Sequence, residues 1–317
     1  MFKWKKVGHV FNPTKLGNNS WMQEQAQNPF VLNMGDFIRV YFNCRAKKDS
    51  EGKSTSYAGF IDLDKTNLFN ILRISSEPIL GLGAKGSFDE FGVMAGSVIQ
   101  VGTEHYLYYC GWTRMQSVPY NWAIGLAKST DNGKTFERNS IGPVLGATHN
   151  EPYLQAGCSS IININGIFHL WYTSGVKWID TGGKAESVYQ IMHATSTDGV
   201  IWKRNGIPVI QTVLENEAQA SPTIINFNNR WHMFFSYRYS VDFRNKDRGY
   251  RIGYAWSDDL EVWHRDDSKA GIDVSETGWD SEMICYPNIC KINNEIYLFY
   301  CGNDFGKEGF GVAVLES

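Results

Sequence analysis

The sequence lacks two features that would assign the protein to a membrane or to nucleic acid. It contains no run of about 20 apolar residues, the length that a membrane-spanning helix requires. Its 30 Lys and Arg residues are outnumbered by 33 Asp and Glu residues, and the formal net charge is −3. There is thus no basic excess that would attract a polyanion. We therefore expect no membrane insertion and no nucleic-acid partner.

Metal, redox and export motifs are also missing. The six cysteines form no Cys-x-x-Cys pair, and the seven histidines show neither zinc-ligand spacing nor a helix-spaced pair. Residues 1–7 turn polar without the apolar segment of a secretory signal. These absences predict a cytoplasmic protein with buried free thiols and no cofactor.

A fivefold repeat is what the sequence does contain. Each repeat has two short apolar segments separated by a turn rich in Gly and Asn, which is typical of a β-hairpin. The repeats recur about every 65 residues, as expected for a repeat architecture. Their first segments start at Pro29, Gly96, Ser159, Pro222 and Pro287.

Two further strands complete each repeat. A third apolar segment follows the hairpin after a longer loop, and in three repeats a Ser-x-Asp turn then opens a fourth strand, at Ser129, Ser196 and Ser257. Four-stranded units repeated around an axis are the blades of a β-propeller. The sequence thus predicts an all-β fold, a single five-bladed β-propeller domain over residues 1–317.

The two ends of the chain are predicted to share one blade. The chain ends after the third strand of the fifth repeat, whereas residues 4–10 resemble the fourth strand of an earlier repeat, at residues 202–209. We expect the N-terminal strand to close the last blade, because this pairing removes two open sheet edges.

A carboxylate precedes the first strand of each blade, on one face of the predicted disc. The first strand runs along the axis and the second runs back, so the entrance to the first and the exit from the second lie on the same face. The entrance segments contain Glu24, Asp89, Glu90, Glu151, Glu217 and Glu282. We expect these residues to ring a central funnel.

The second strands end on that same face with basic, aromatic and amide side chains. Sugar faces stack on aromatic rings and sugar hydroxyls bind charged groups, so this combination is typical of a saccharide site. Rim residues held in salt bridges, without a ligand, are the alternative. The predicted substrate-binding residues are Glu24, Asn28, Arg45, Trp112, Glu151, Arg238, Trp279, Tyr286 and Asn303.

The blade rhythm and the recurrent Ser-x-Asp turns resemble the five-bladed propeller glycosidases, the superfamily of glycoside hydrolase families 43, 32 and 130. Phe88-Asp89-Glu90 and residues 278–283 also resemble propeller proteins from bacterial surface-polysaccharide gene clusters. In families 43 and 32 an Asp precedes the proline of the first blade. This chain has Asn28 there, which can act neither as a base nor as a nucleophile, and it has Ala95 and Cys158 at the matching positions of the next two blades.

The resemblance implies a glycoside hydrolase or phosphorylase with different carboxylates. Glu217 and Glu282, paired with Asp89 or Glu90 across the funnel, are the predicted catalytic acid and base. A divalent ion in the funnel, as some members of the superfamily hold, is an open alternative to the absence of a cofactor.

The predicted arginines are compatible with more than one ligand. In a phosphorylase Arg45 and Arg238 would hold inorganic phosphate, and the same arginines suit a sugar carboxylate. Because Asn28 replaces the expected Asp, the second class of function is a protein of cytoplasmic surface-polysaccharide synthesis that binds a sugar or activated sugar without hydrolysing it. A protein-interaction propeller is a third class.

Overall fold

The structure, a computed structural model, describes residues 1–17 and 20–316, without the side chains of residues 158 and 159. The expectation for Cys158 therefore falls outside the described side chains. Over the described ranges the chain forms twenty β-strands. In chain order these are β1 (Trp4–Phe11), β2 (Glu24–Asn33), β3 (Phe37–Arg45), β4 (Ser56–Asp64), β5 (Asn67–Ile74), β6 (Gly92–Val101), β7 (Glu104–Arg114), β8 (Tyr120–Ser129), β9 (Glu137–Arg138), β10 (Gln155–Ile164), β11 (Ile167–Asp180), β12 (Ala185–Ser196), β13 (Lys203–Arg204), β14 (Ala218–Phe227), β15 (Arg230–Arg238), β16 (Arg251–Ser257), β17 (His264–Arg265), β18 (Cys285–Ile292), β19 (Glu295–Cys301) and β20 (Phe310–Leu315).

Helical structure in the described chain is limited to three single turns, at Pro13–Leu16, Asp267–Lys269 and Asn303–Gly306. The prediction of an all-β fold is therefore confirmed. No helix within the described ranges has the length and apolar character needed to cross a membrane.

Within each group of four strands, strands that are adjacent in sequence pair in antiparallel order. Strands β10 to β13 form one four-stranded sheet, and β14 to β17 form a second. Strands β2 to β5 follow the same order, as do β6 to β9, and one parallel residue pair, Ser56 with Gly92, joins these two groups into a single larger sheet. This order follows from the hairpin signals, because short turns allow only antiparallel neighbours.

The N-terminal strand completes the sheet formed by the end of the chain. Strand β1 pairs with β20 from Trp4 opposite Leu315 to Phe11 opposite Phe310, and the sheet order is β1-β20-β19-β18. The pairing expected from the likeness of residues 4–10 to a fourth strand is thus present. It places the outermost strand of this sheet about 300 residues away in sequence from its neighbour.

Each Ser-x-Asp turn satisfies its own backbone donors. In the turn after β16, the Ser257 hydroxyl donates to Asp259 Oδ1 at 3.0 Å, and Asp259 Oδ1 accepts the N–H groups of Glu261 and Val262 at 2.9 Å each. The turns at Ser129 and Ser196 use the same contacts. These aspartates act locally, as expected for short polar side chains in tight turns.

The same turns bind neighbouring sheets together. The Tyr41 hydroxyl on β3 donates to the carbonyl of Gly133 at 2.8 Å, and the Tyr108 hydroxyl on β7 donates to the carbonyl of Gly199 at 2.7 Å. The aromatic residue of each turn packs against the same partner, as Trp202 does on Tyr108 with ring centroids 5.6 Å apart. Each turn is therefore anchored on the preceding sheet.

We expect Asp259→Asn to lower the urea midpoint of unfolding at pH 7, whereas Asp258→Asn leaves it nearly unchanged. The N–H groups of Val262 and Glu261 lower the pKa of Asp259 below its usual value. A group whose pKa is lower in the folded state stabilises above its unfolded pKa, about 3.9, and loses this effect as the pH falls through the folded pKa. The difference between the parent and Asp259→Asn should therefore shrink below about pH 4, and a pH-independent difference would contradict this account.

Candidate functional site

The first strand of every repeat has a β-bulge, and the bulges lie at matching positions of the repeats. Bulges bend a strand and re-aim its side chains, and they recur next to active sites. Here each bulge follows the segment that enters the sheet. The register shifts lie between Gln27 and Phe30, Ala95 and Ser97, Ala156 and Ser160, Ala220 and Thr223, and Cys285 and Asn288.

Three residues within these bulges have left-handed backbone conformations. Asn28, Ser221 and Tyr286, each directly before a proline, have φ angles of 51°, 49° and 54°. Such conformations cost free energy in residues other than glycine and cluster at ligand sites. The Ser221 hydroxyl donates to Asn28 Oδ1 at 2.7 Å across the gap between two sheets. The three residues therefore meet at one place, and all of them line the same small cavity.

This place is the floor of a funnel. An inner cavity of about 270 Å³ lies above Asn28 and Ser221, and it is continuous with an outer cavity of about 570 Å³. The residues that line both parts are Arg45, Trp122, Tyr189, Arg244, Tyr250, Tyr286 and Phe305. Together the two parts have the size of a small-molecule site.

Stacked aromatic rings form one wall of the funnel. Tyr120 and Trp122 stack with centroids 4.6 Å apart and an interplanar angle of 9°, and Trp178 packs edge-on against Tyr120. Tyr189 extends the wall beside Trp122. Such a wall can hold the flat apolar face of a sugar ring.

Arg238 reaches the funnel from the end of β15. Its side chain is buried, it lies over the Phe243 ring at 3.6 Å, and it donates to the Tyr189 hydroxyl at 2.9 Å. Tyr189 and Tyr250 share a hydrogen bond of 2.5 Å. Burial raises the pKa of Tyr250 well above its usual value, so this phenol stays protonated.

Arg45 and Tyr286 complete this side of the funnel. Burial lowers the pKa of the Arg45 guanidinium, because removal from water disfavours its charge. Glu24 lies opposite Arg45 in the strand register, and the Glu24 side chain is exposed. Burial raises the pKa of Tyr286, so it is a neutral hydroxyl and not a phenolate nucleophile.

Three of the predicted carboxylates are held in buried ion pairs. Glu217 Oε1 lies 2.6 Å from Arg265, and Glu217 Oε2 accepts the N–H groups of Val213 and Leu214. Asp89 lies 2.7 Å from Arg138 and accepts from the Tyr109 hydroxyl at 3.0 Å.

Glu151 shows the same arrangement in the next sheet. It lies 3.4 Å from Arg204 and accepts from the Tyr172 hydroxyl at 2.9 Å. A fourth case, which the sequence interpretation missed, is Asp280, which lies 2.7 Å from Lys6 and accepts from the Tyr300 hydroxyl at 2.9 Å.

We call these four ion pairs the sheet clamps. In each clamp a carboxylate just before the first strand pairs with a cation on the outermost strand of the same sheet, namely β9, β13, β17 or β1. Each carboxylate also accepts a further hydrogen bond, from a tyrosine hydroxyl in three clamps and from backbone N–H groups in the clamp of Glu217. Asp89, Glu151 and Glu217 are thus engaged in ion pairs, and none of the three lines the funnel cavities.

The remaining predicted residues lie around the rim. Glu282 is exposed, and its backbone N–H donates to Asn303 Oδ1 at 2.8 Å. Glu90 accepts the N–H of Gly86 at 2.8 Å. Trp279 stacks on Tyr300 and His9.

Trp112 faces Trp122 across the pairing of β7 and β8. Of all the predicted residues, those that line the funnel are Asn28, Arg45, Arg238 and Tyr286.

Several lining residues escaped the sequence interpretation. Trp122, Tyr189 and Tyr250 stand at or near the start of a third strand. The third strand begins on the face where the second ends, so the topological argument that located Arg45 and Arg238 also applies to them. Arg244 lies in a loop and Phe305 in the helical turn Asn303–Gly306, and the repeat pattern predicts neither residue.

The funnel does not fit a divalent ion. Among the described residues no three His, Cys, Asp or Glu side chains group at a spacing that could hold a metal. The inner cavity is lined by guanidinium, phenol, indole and amide groups, and the carboxylate that lines the outer cavity, Glu186, pairs with Arg244 at 3.1 Å. Of these groups only the amide oxygen and the carboxylate are preferred ligands of Mg²⁺ or Ca²⁺.

No protein-family model matches the chain. Two relatives match it over nearly its whole length: the uncharacterized proteins MT1551 and Rv1502 of Mycobacterium tuberculosis are each 34% identical over 316 residues, which cover 99% of this chain and 99% of theirs. This chain belongs to their family. This chain also matches a β-1,2-mannobiose phosphorylase of Thermoanaerobacter sp., at 29% identity over 143 residues, which cover 42% of this chain and 42% of that protein.

Solved structures described as glycoside hydrolases share the fold of this chain. One superposes with a TM-score of 0.76 at 18% identity, covering 99% of this chain and 92% of that chain. A thermostable family-43 glycoside hydrolase has a TM-score of 0.63 at 15% identity, covering 94% and 90%. A structure from the family 130 of mannoside phosphorylases has a TM-score of 0.63 at 14% identity, covering 99% and 93%. The resemblance to the propeller glycosidases is thus confirmed, and the fold is theirs.

The sheet clamps make a prediction for Glu217 and Glu282. Glu217→Gln removes the charge facing Arg265 in a buried site, so we expect it to lower the free energy of unfolding by about 3 kcal/mol. Glu282→Gln, at an exposed position, should change it by less than about 0.5 kcal/mol. Urea denaturation followed by tryptophan fluorescence measures both values, and equal stability of the two variants would refute the clamp.

Proposed function

We propose that the protein acts on a saccharide bound in the central funnel of a single five-bladed β-propeller, as a glycoside hydrolase or phosphorylase-like enzyme. The observation that carries this proposal is the stacked wall of Tyr120 and Trp122 facing arginines across a cavity of small-molecule size. The fold shared with glycoside hydrolases supports it. The pairing of β1 with β20 supports the closed ring of five blades.

The carboxylates favour a route with one acid over a route with two. Hydrolysis uses a pair of carboxyl groups about 5 Å or about 6.5–9.5 Å apart. Glu217 and Asp89 are engaged in sheet clamps, and the carboxylate among the lining residues is Glu186, which pairs with Arg244 at 3.1 Å. A phosphorylase-like route needs a single carboxylic acid, since phosphate itself attacks the anomeric carbon.

We assign the acid role to Glu24. Its side chain is exposed, it lies opposite Arg45 in the strand register, and it forms no ion pair with the described residues. In this role Glu24 gives its proton to the glycosidic oxygen while the bond from that oxygen to the anomeric carbon breaks. Glu282 and Glu90, on the same face, are the alternative acids from the predicted set.

Binding without turnover is the second candidate, and Asn28 favours it. Its amide replaces the Asp of related families, and its side-chain oxygen is already occupied by the Ser221 hydroxyl. A protein of this kind would hold a sugar or activated sugar during cytoplasmic polysaccharide synthesis.

An NMR time course with neutral oligosaccharides, with and without phosphate, separates the two candidates. New anomeric signals indicate an enzyme, and their dependence on phosphate indicates phosphorolysis. Line broadening of the sugar without new signals indicates binding alone. If the sugars show neither effect, the proposed function is wrong.

Trp122→Ala should weaken saccharide binding about tenfold or more, because it removes the stacking wall. The matched control is Trp256→Ala, since Trp256 lies near the opposite end of its sheet, beside His264. Titration calorimetry with the best sugar of the panel measures both variants. Equal loss in the two variants would argue against a site in the funnel.

For an enzyme, Glu24→Gln should reduce kcat by about 10²–10⁴-fold, as expected for loss of a general acid. The control is Glu51→Gln, at an exposed position where Glu51 pairs with Lys53. Steady-state rates and thermal melts of both variants are compared. A Glu24→Gln variant with normal rates, and a slow Glu282→Gln variant, would move the acid role to Glu282.

A further inference from the structure

Two arginines of the funnel form no ion pair with a carboxylate, unlike the arginines of the sheet clamps. Arg138, Arg204 and Arg265 each face a buried carboxylate. Arg45 and Arg238 form no ion pair with any described residue, and the Nε atom of each is buried without a hydrogen-bond partner.

Arg238 is buried, so its lack of a carboxylate partner has to be explained. Its side chain is only 4% exposed, and its partners are the Tyr189 hydroxyl, the carbonyl of Tyr239 and the faces of aromatic rings. A buried charge without a counter-charge is costly, and in proteins such groups are paired. A structural role would be met by a carboxylate within the sheet, as in the clamps. Arg238 thus lacks the counter-charge that each clamp arginine has.

We propose that Arg238 and Arg45 form a subsite for an oxyanion, either a carboxylate or a phosphate, at the side of the saccharide in the funnel. Both arginines line the outer cavity together with the hydroxyl-bearing residues Tyr189 and Tyr286. Guanidinium groups recognise carboxylate and phosphate through paired, charge-assisted hydrogen bonds. The inference rests on the proposed function, because it names the class of saccharide or co-substrate that the funnel takes.

The phenols beside the arginines fit the same ligand. Burial raises the pKa of Tyr250 and Tyr286, so both carry a proton at neutral pH. A neutral phenol can donate a hydrogen bond to an anion, whereas a phenolate would repel it. Tyr189, which accepts from Arg238 and is hydrogen-bonded to Tyr250, holds the guanidinium in place.

The test compares charged and neutral sugars by titration calorimetry on the full chain. The probes are galacturonate against galactose, glucose 1-phosphate against glucose, and inorganic phosphate alone. The variants are Arg238→Gln, Arg45→Gln and the control Arg230→Gln, whose arginine lies at the opposite end of β15 and pairs with Asp258. Arg238→Lys is included as a folded variant that retains the charge.

We expect at least one anionic probe to bind about tenfold or more tightly than its neutral counterpart. Arg45→Gln and Arg238→Gln should abolish the difference, Arg238→Lys should reduce it, and Arg230→Gln should retain it. Preference for galacturonate indicates a carboxylate on the sugar, and preference for glucose 1-phosphate indicates a sugar phosphate. Binding of inorganic phosphate alone, lost in the same variants, indicates a separate phosphate.

Two outcomes separate this inference from the proposed function. If neutral sugars bind as tightly as charged ones and the arginine variants bind both normally, the oxyanion subsite is wrong and the saccharide funnel stands. If phosphate binds through the two arginines but no sugar binds, the subsite stands and the saccharide funnel is wrong. If Arg238→Gln does not fold, Arg45→Gln and Arg238→Lys decide alone.

Discussion

The sheet clamps are the interactions on which the rest of the structure depends. Each joins the segment that enters a sheet to the outermost strand of that sheet, as Glu217 and Arg265 do. The outermost strands β9, β13 and β17 have two residues each, too few to be held by ladder hydrogen bonds alone. A buried ion pair joins such a strand to the entering segment, and removing one partner of a buried pair costs about 3–5 kcal/mol. The position of the bulge that follows is thereby fixed as well.

The clamps also determine the charge of the funnel. Because the entering carboxylates turn outward to cations such as Arg138 and Arg265, they are not available along the axis. Two of the second strands, by contrast, end in arginines that line the funnel, Arg45 and Arg238, and Arg238 lies over the Phe243 ring. The funnel is therefore lined mainly by guanidinium, phenol and indole groups.

Much of the fold could be predicted from the sequence, because hairpin turns, alternating apolar residues and Ser-x-Asp turns are local patterns. The same topology correctly placed Arg45 and Arg238 on the funnel side. It could not reveal the clamps, since Glu217 and Arg265 are 48 residues apart and spacing does not show which way a carboxylate turns. A signal was available: a basic residue recurs on the fourth strand, at Arg138, Arg204 and Arg265. Loop residues such as Arg244 follow no repeat and had no signal.

The pairing of β1 with β20 has a consequence for synthesis on the ribosome. Residues 4–11 are made about 300 residues before their partner strand at Phe310–Leu315. At about 5–20 residues per second the interval is about 15–60 s. Throughout that time the first strand has an unpaired edge, and the inner sheets can form before it is used. The sheet of β1, β18, β19 and β20 is therefore completed only after the other strands have been made, and the nascent chain must keep β1 from pairing with other chains until then.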